Sequence, residues 1–260
     1  MKDVYTLDDL RNWSDETVRL GVIGDPVAHS LSPQMMNAAL EQCRLPHRYG
    51  RFCVAREDLR EALTLMRGRD FVGVNLTVPH KLAALELMDY VDDAAAGIGA
   101  INTVQLRHGK LRGYNTDATG FTKAIRESFG LDVRALRVLI VGAGGASRAI
   151  AFACERPRIW SRRADVDIRQ LARDVELIVN ATPVGLTDGD APLLTRHDLS
   201  ASQFVFDTIY SRTALLEEAA HAGAGAANGL SMLLHQGAAA FEIWFNRPAP
   251  IDAMRRALLL

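Results

Sequence analysis

One glycine-rich turn in the sequence is of a type that binds phosphates. Residues 138–141 (VLIV) form an apolar run, and Gly142, Gly144 and Gly145 follow it before a helical pattern begins. Glycines between a strand and a helix permit a tight turn and let backbone N–H groups at the helix N-terminus approach a pyrophosphate. Ser147 stands where the third glycine of the usual fingerprint lies. The pattern predicts a dinucleotide site, with a plain strand-to-helix turn as the alternative.

Two arginines follow the next predicted strand. Dinucleotide folds that bind NAD place an acidic residue there, about 20 residues after the glycines, to hold a ribose 2′-hydroxyl. This chain has Ser161, Arg162 and Arg163 instead. Guanidinium groups pair strongly with phosphate, so the pattern favours the 2′-phosphate of NADP, although NAD remains possible. The alternative is a pair of solvated arginines with no ligand.

A pair of serines precedes a predicted helix in the N-terminal region. Ser30 and Ser32 flank Leu31, and Pro33 follows in a position typical of the first helical residue. Ser32 is predicted to be the N-cap of this helix, which by itself explains both Ser32 and Pro33. Two hydroxyls beside a helix N-terminus also suit a carboxylate ligand. The sequence leaves both interpretations open.

Lys81 is a candidate proton donor. It follows Thr77, Val78 and Pro79, and Pro79 is predicted to begin a helix with Lys81 in its first turn. The positive end of a helix dipole disfavours a cation, so a lysine in that position gives up its proton more readily. The alternative is an ordinary surface lysine.

Amides and a carboxylate flank a predicted hairpin over residues 102–114. Asn102 and Thr103 begin it, and Asn115, Thr116 and Asp117 follow it. Such side chains at strand ends hold ligand hydroxyl groups, or they form Asx turns and helix caps. Asp117, which precedes a helical pattern, is on its own an ordinary N-cap candidate.

These candidate residues lie at the ends of strands that alternate with helices along most of the chain. Alternation of this kind predicts βαβ units and mainly parallel sheets. We interpret the pattern as two α/β lobes joined near residues 104–117. A further amphipathic pattern over residues 231–245 predicts a long helix.

The composition excludes several other classes of protein. With 260 residues, of which 48% are hydrophobic and 23% charged, the chain is typical of a globular protein with a substantial core. Its 30 basic and 31 acidic residues argue against a general nucleic-acid binder. The polar N-terminus predicts no secretory signal, and no run of about 18 apolar residues predicts a membrane span. Three widely spaced cysteines and seven scattered histidines favour a cytoplasmic protein without a metal site.

Taken together, the motifs resemble the shikimate dehydrogenase family. The matching segments are residues 24–33, 75–81, 99–103, 115–117, 142–146, 180–183 and 229–236. They span about residues 20 to 245 in the order that the family shows. The resemblance implies a substrate-binding catalytic domain of residues 1–116 and 236–260, a Rossmann-like NADP-binding domain of residues 117–235, and a C-terminal helix that returns to the first lobe.

The resemblance also implies a role for each matching residue. Lys81 and Asp117 would form the catalytic acid/base pair, in which Asp117 orients the lysine. The substrate would lie in the cleft between the lobes, with its carboxylate on Ser30 and Ser32. Its hydroxyl groups would contact Thr77, Lys81, Asn102, Asp117, Tyr210 and Gln236. The cofactor would contact Gly142, Ala143, Gly144, Gly145, Ala146, Ser161, Arg162, Arg163, Thr182, Pro183, Val184, Thr208 and Gly229.

The implied reaction is the NADP-dependent reduction of 3-dehydroshikimate to shikimate by hydride transfer, in the biosynthesis of chorismate and aromatic amino acids. A quinate or aminoshikimate dehydrogenase that uses NAD or NADP is the nearest alternative, because no residue decides whether an extra ring hydroxyl fits. A non-catalytic NADP(H)-binding regulatory protein is an alternative from another class. The expected partners are the small-molecule substrate and, at most, a second copy of the chain.

Three features depart from the family pattern. Met36 stands where the family commonly has histidine, and the segment from Tyr210 to Thr213 lacks the usual proline. Only about 15 residues separate the glycine turn from Ser161. The adenosine side of the cofactor site is therefore predicted to be reduced.

Overall fold

A computed structural model describes residues 2–187 and 189–260 of the chain. The chain divides into two units, one formed by Met1–Thr116 with Gln236–Leu260 and the other by Asp117–His235. Each unit has a sheet of its own, with six strands in the first and five in the second.

The sheet of the first unit is built around a strand that is buried almost throughout, β1 (Val18–Gly24). Its other strands are β2 (Arg48–Cys53), β3 (Gly73–Leu76), β4 (Tyr90–Val91), β5 (Thr103–Arg107) and β6 (Lys110–Tyr114), in the order β2-β1-β3-β5-β6-β4. β1 pairs in parallel with β2 and β3, whereas β5 is antiparallel to both β3 and β6. β4 pairs in parallel with β6, so three of the five strand pairs are parallel. The predicted hairpin of β5 and β6 is confirmed, and it adds the antiparallel pairs to a sheet whose pairs are mainly parallel.

Helices pack around this sheet. They are α1 (Leu7–Arg11), α2 (Ser32–Gln42), α3 (Leu59–Arg67) and α4 (Asp93–Ile98), with α10 (Ile251–Ala257), which comes from the C-terminal segment and packs on α2. In α3 the buried residues Leu59, Ala62, Leu63 and Met66 follow the spacing of a single helical face. Where a helix is predicted to follow Pro79, the structure has a short 3-10 helix, Ala83–Leu87.

The sheet of the second unit is parallel throughout. Its strands are β7 (Val138–Val141), β8 (Arg158–Trp160), β9 (Leu177–Asn180), β10 (Phe204–Asp207) and β11 (Gly225–Ala227), in the order β11-β10-β9-β7-β8. All residues of β7 and β9 are buried, as expected for a parallel sheet covered on both faces. The helices are α5 (Asp117–Phe129), α6 (Gly145–Ala153), α7 (Ile168–Ala172) and α8 (Ala214–His221). The predicted Rossmann-like architecture is confirmed.

The long helix α9 (Leu230–Phe245) begins in the second unit and ends in the first. Its C-terminal part is fixed to the first sheet, because the Trp244 indole N–H donates to the Val104 carbonyl at 3.0 Å and Gln105 donates to the Ile243 carbonyl at 2.6 Å. Gly73 gives the indole room, since a Cβ there would overlap its ring. The predicted return of this helix to the first lobe is confirmed. No helix in the described part of the chain is long and apolar enough to cross a membrane.

Candidate functional site

A cluster of buried polar side chains lies at the ends of β3, β5 and β6 in the first unit. We call Asn75, Asn102, Thr103 and Thr116, together with Gln236, the polar cluster; its first four members are at most 6% exposed. The Asn102 amide oxygen accepts from the Thr116 backbone N–H at 2.8 Å and the Thr103 hydroxyl at 2.9 Å. Its amide nitrogen donates to the Thr116 hydroxyl at 3.0 Å and to Gln236 Oε1 at 3.4 Å. These bonds fix which way the amide points.

Further hydrogen bonds join members of the polar cluster to one another and to Tyr49. The Asn75 amide nitrogen donates to the Thr103 hydroxyl at 3.0 Å, and the Tyr49 hydroxyl donates to the Asn75 amide oxygen at 2.7 Å. Buried polar groups joined in this way hold one geometry, because breaking any bond leaves a desolvated group unpaired. The structure thus brings the predicted residues Asn102 and Gln236 together and joins them through Thr103 and Asn75 to Tyr49, which the sequence analysis did not single out.

Lys81 lies in a turn that precedes the 3-10 helix Ala83–Leu87, not in the first turn of an α-helix. The prediction that a helix begins at Pro79 is wrong, and the helix dipole therefore gives no reason for proton release by Lys81. The Lys81 carbonyl accepts from the Ile101 backbone N–H at 2.8 Å, directly beside Asn102 in the sequence. This bond joins the backbone of the turn to the residue that precedes Asn102 of the polar cluster.

His80 anchors the same turn, although its sequence context gave no signal for such a role. Its side chain is fully buried, and Nε2 lies 2.9 Å from the Val54 carbonyl. Burial lowers the pKa of His80, so the ring is neutral near pH 7 and Nε2–H is the donor. His80 thereby fixes the turn that carries Lys81 to the C-terminal end of β2.

The two candidate carboxylate-binding serines stand at the start of α2. The N-cap position belongs to Leu31, and Ser32 is the first helical residue, so the prediction that Ser32 is the N-cap is wrong. The Ser30 hydroxyl accepts from the Ser32 backbone N–H at 3.3 Å. The Arg51 guanidinium donates to the Ser30 carbonyl at 2.8 Å and holds its backbone. Thr77 follows β3, and its backbone N–H donates to the Ile23 carbonyl at 2.9 Å.

Asp117 and Tyr210 belong to the second unit. Asp117 is only 4% exposed and is the first residue of α5 rather than the residue before it. Desolvation of its hydroxyl and the charge of the Asp117 carboxylate raise the pKa of Tyr210, a residue that is 36% exposed overall, to about 12. The phenol is therefore protonated near neutral pH and can donate a hydrogen bond.

The glycine turn after β7 has the geometry that a phosphate-bearing cofactor requires. Gly142 has φ +129°, and a Cβ there would lie 2.7 Å from the Ala181 carbonyl oxygen, so only glycine fits. Gly144 is the N-cap of α6 with no side-chain cap, and a Cβ there would meet nothing within 4 Å. Open backbone N–H groups at a helix N-terminus suit a pyrophosphate. Ala143, Gly145 and Ala146 complete this segment.

Ser161, Arg162 and Arg163 form an exposed turn after β8. The Ala164 backbone N–H donates to the Ser161 carbonyl at 2.9 Å and closes it. Within the described residues, neither Arg162 nor Arg163 has a carboxylate partner, so both guanidiniums are available to an external anion. β8 is a three-residue strand at the edge of the sheet.

The remaining candidate cofactor residues gather at the carboxyl ends of β9 and β10. Thr182 and Val184 are joined by a bond from the Val184 backbone N–H to the Thr182 hydroxyl at 3.2 Å, with Pro183 between them. The Thr208 backbone N–H donates to the Asn180 carbonyl at 3.0 Å. Gly229 packs directly on Thr208, because a Cβ there would overlap the Thr208 carbonyl group. The structure thus brings these predicted residues together within the second unit.

Segments of both units match known protein families. Residues 22–104 match the family described as the shikimate dehydrogenase substrate binding domain, and residues 229–259 match the shikimate 5′-dehydrogenase C-terminal domain. A shikimate dehydrogenase (NADP(+)) of Methanopyrus kandleri is 39% identical over 94% of this chain and 96% of its own.

Two crystal structures are similar in fold as well as in sequence. Shikimate dehydrogenase of Aquifex aeolicus has a TM-score of 0.89 and 36% identity over 94% of this chain and 98% of its own. Shikimate 5-dehydrogenase of Thermus thermophilus, in complex with NADP(H) and shikimate, has a TM-score of 0.86 and 38% identity over 94% and 99% of the two chains. Because the similarity covers nearly the full length of both the chain and its relatives, this protein belongs to the shikimate dehydrogenase family.

Proposed function

We propose that this protein catalyses the NADPH-dependent reduction of 3-dehydroshikimate to shikimate. The observation that carries the proposal is the polar cluster beside the Lys81 turn, which offers fixed amide and hydroxyl groups to a polyhydroxylated ring. It lies in the unit whose residues 22–104 match a substrate-binding domain. The relatives named shikimate dehydrogenase (NADP(+)) support the same reaction.

We assign substrate binding to the unit of residues 1–116 and 236–260, and cofactor binding to residues 117–235. The backbone of residues 142–146 holds the pyrophosphate, and Ser161, Arg162 and Arg163 hold the 2′-phosphate. Thr182, Pro183, Val184, Thr208 and Gly229 line the rest of the cofactor site. Bound NADPH supplies the hydride that adds to the ketone carbon.

The chain's own residues position the ring and supply the proton. Ser30 and Ser32 donate hydrogen bonds to the substrate carboxylate. Thr77, Asn102, Asp117, Tyr210 and Gln236 bind its hydroxyl groups. The Lys81 ammonium transfers a proton from Nζ to the alkoxide oxygen, which completes the conversion of ketone to alcohol. Holding the ketone in one orientation lowers the entropic part of the barrier.

The cellular compartment and the oligomeric state of the protein are part of the same proposal. The protein acts in the cytoplasm, which its three free cysteines favour. It acts as a monomer or homodimer on small molecules, without a nucleic-acid partner, as its balanced charge favours.

Absorbance at the NADPH band, followed with shikimate or quinate and with NADP or NAD in all pairings, tests the proposal. We expect the highest kcat/KM for shikimate with NADP. A higher kcat/KM for quinate than for shikimate would show that the proposed substrate is wrong. A higher kcat/KM with NAD than with NADP would show that the proposed cofactor is wrong. NADPH binding without turnover of either acid would indicate a regulatory protein instead.

A further inference from the structure

Two fully buried polar side chains join the carboxyl ends of neighbouring strands in the second unit. Asn180 is the last residue of β9 and Asp207 the last of β10, and the two are directly paired in the parallel sheet. The Asn180 amide nitrogen donates to Asp207 Oδ1 at 3.0 Å. Both side chains are completely shielded from solvent.

Asn180 also fixes the loop that follows β9. Its amide oxygen accepts from the Thr182 backbone N–H at 3.0 Å and from the Thr182 hydroxyl at 2.7 Å. Its amide nitrogen makes a second donation, to the Val184 carbonyl at 3.0 Å. Every hydrogen-bonding position of this amide is therefore used, either on the loop or on Asp207.

Asp207 fixes the loop that follows β10 in the same manner. Its Oδ1 also accepts from the Ile209 backbone N–H at 3.0 Å, and its Oδ2 accepts from the Thr213 hydroxyl at 2.8 Å. Within the described residues no cation pairs with this carboxylate. Burial without a cation raises the pKa of Asp207, whereas the three hydrogen bonds act in the opposite direction.

The cost of burying such a carboxylate is hard to explain by stability alone, because an apolar pair of similar size fills a core without that penalty. Asn180 and Asp207, unlike an apolar pair, form hydrogen bonds of defined direction. It ties one loop, with Thr182 and Val184, to another, with Thr208 and Ile209, through directional bonds. Both loops carry candidate cofactor residues.

We propose that Asn180 and Asp207 are positioning residues that set the spacing of the two cofactor loops and so determine the affinity for NADPH. This inference rests on the proposed function, since it assumes that the second unit binds the cofactor. Neither residue needs to touch the cofactor for the inference to hold.

The test is a titration of NADPH fluorescence with full-length protein and no substrate, so that binding is measured apart from activity. The variants are Asn180→Ala and Asp207→Ala, with Asp207→Asn as the conservative change. Gln203→Ala is the matched control. Gln203 is 5% exposed and precedes the same strand, β10, at its opposite end, where it donates to the Ala172 and Val175 carbonyls at 2.6 and 3.0 Å.

We expect both alanine variants to raise the Kd for NADPH about tenfold or more, since each loses at least three hydrogen bonds that order the loops. Asp207→Asn should stay within about threefold, because its Oδ1 still accepts from Asn180 and Ile209 and its amide can donate to Thr213. Gln203→Ala should lower Tm yet leave the Kd within about twofold.

A Kd for NADPH equal to that of the wild type in the folded alanine variants would overturn the inference. An equal rise of the Kd in Gln203→Ala would also overturn it, because it would indicate that Asn180 and Asp207 have a purely structural role. If the alanine variants do not fold, Asn180→Ser and Asp207→Ser replace them. Each serine keeps a hydroxyl group in the buried site, but its side chain is too short to bridge the two loops. Wild-type protein that binds NADPH but does not turn over shikimate would overturn the proposed reaction and leave this inference standing.

Discussion

Asn102 in the first unit and Arg162 in the second present hydrogen-bond donors in opposite ways. Asn102 is 2% exposed, and Thr103, Thr116 and Gln236 hold its amide in one orientation. Arg162 is exposed, in a turn closed by a backbone bond between Ser161 and Ala164. Folding has already ordered the first group, whereas the second must be ordered when a ligand binds.

This difference separates two kinds of contribution to function. A donor ordered during folding adds to both stability and ligand orientation, so its removal affects both. An exposed arginine adds little to stability, and its removal affects only the ligand that its charge selects. Variants in each unit test whether buried donors contribute to both stability and function while the exposed arginine contributes to cofactor selection alone.

The largest effect is expected from Lys81→Ala. In the proposed reaction Lys81 is the proton donor, and loss of such a group lowers kcat by about 10²–10⁴-fold. Steady-state kinetics with shikimate and NADP measure the change. Lys110→Ala is the control, because Lys110 is a 64% exposed lysine of the same unit. A Lys81→Ala enzyme within about threefold of wild type would remove this lysine from the mechanism.

Asn102→Ala should lower both activity and stability. It leaves Thr103 and Thr116 without their buried partner, at a cost of about 1–3 kcal/mol, and we expect kcat/KM for shikimate to fall by about 10- to 100-fold. Gln105→Ala is the control, since Gln105 is also buried and hydrogen-bonded, but its partner is the Ile243 carbonyl and not a member of the polar cluster. Chemical denaturation should show a loss in both variants. If kcat/KM falls equally in both, the polar cluster has no special role.

Two glycines of the phosphate turn should respond in different ways. Gly142→Ala forces a strained φ and a clash with Ala181, so the free energy of unfolding should fall by about 1–3 kcal/mol. Gly144→Ala meets open space and should leave stability unchanged, yet its methyl group would stand where the pyrophosphate approaches. We therefore expect an unchanged Tm but weaker NADPH binding for Gly144→Ala. Unchanged NADPH affinity in Gly144→Ala would contradict a phosphate site at this turn.

The smallest effect is expected from Arg162→Ala. A charge-assisted bond to phosphate contributes about 1.5–3 kcal/mol, so wild-type protein should prefer NADP over NAD at least about tenfold. The variant should lose most of that preference, while its Tm and its kinetics with NAD stay unchanged. Arg173→Ala, another exposed arginine of the same unit, serves as control. Equal efficiency of the two cofactors in wild-type protein would show that the arginines do not bind the 2′-phosphate.

The sequence by itself determined features that depend on neighbouring residues. The turn after β7 is one example, because strand, glycines and helix follow one another directly and φ at Gly142 is a local property. The hairpin of β5 and β6 and the end of α5 at Gly130, with φ +70°, are others. By contrast, the sequence does not predict β11, since a strand of only glycine and alanine shows no alternation of apolar and polar residues.

Only the tertiary structure decided which distant polar groups pair. Asn102 and Gln236 are separated by 134 residues, and Asn180 and Asp207 by 27. No local pattern connects such residues, because strand order and register create their contacts. The start of α2 and the turn at Lys81 differ from prediction for a related reason. Bonds from Arg51 to Ser30, from His80 to Val54 and from Ile101 to Lys81 hold these segments, and such long-range bonds outweigh weak local preferences for capping and helix initiation.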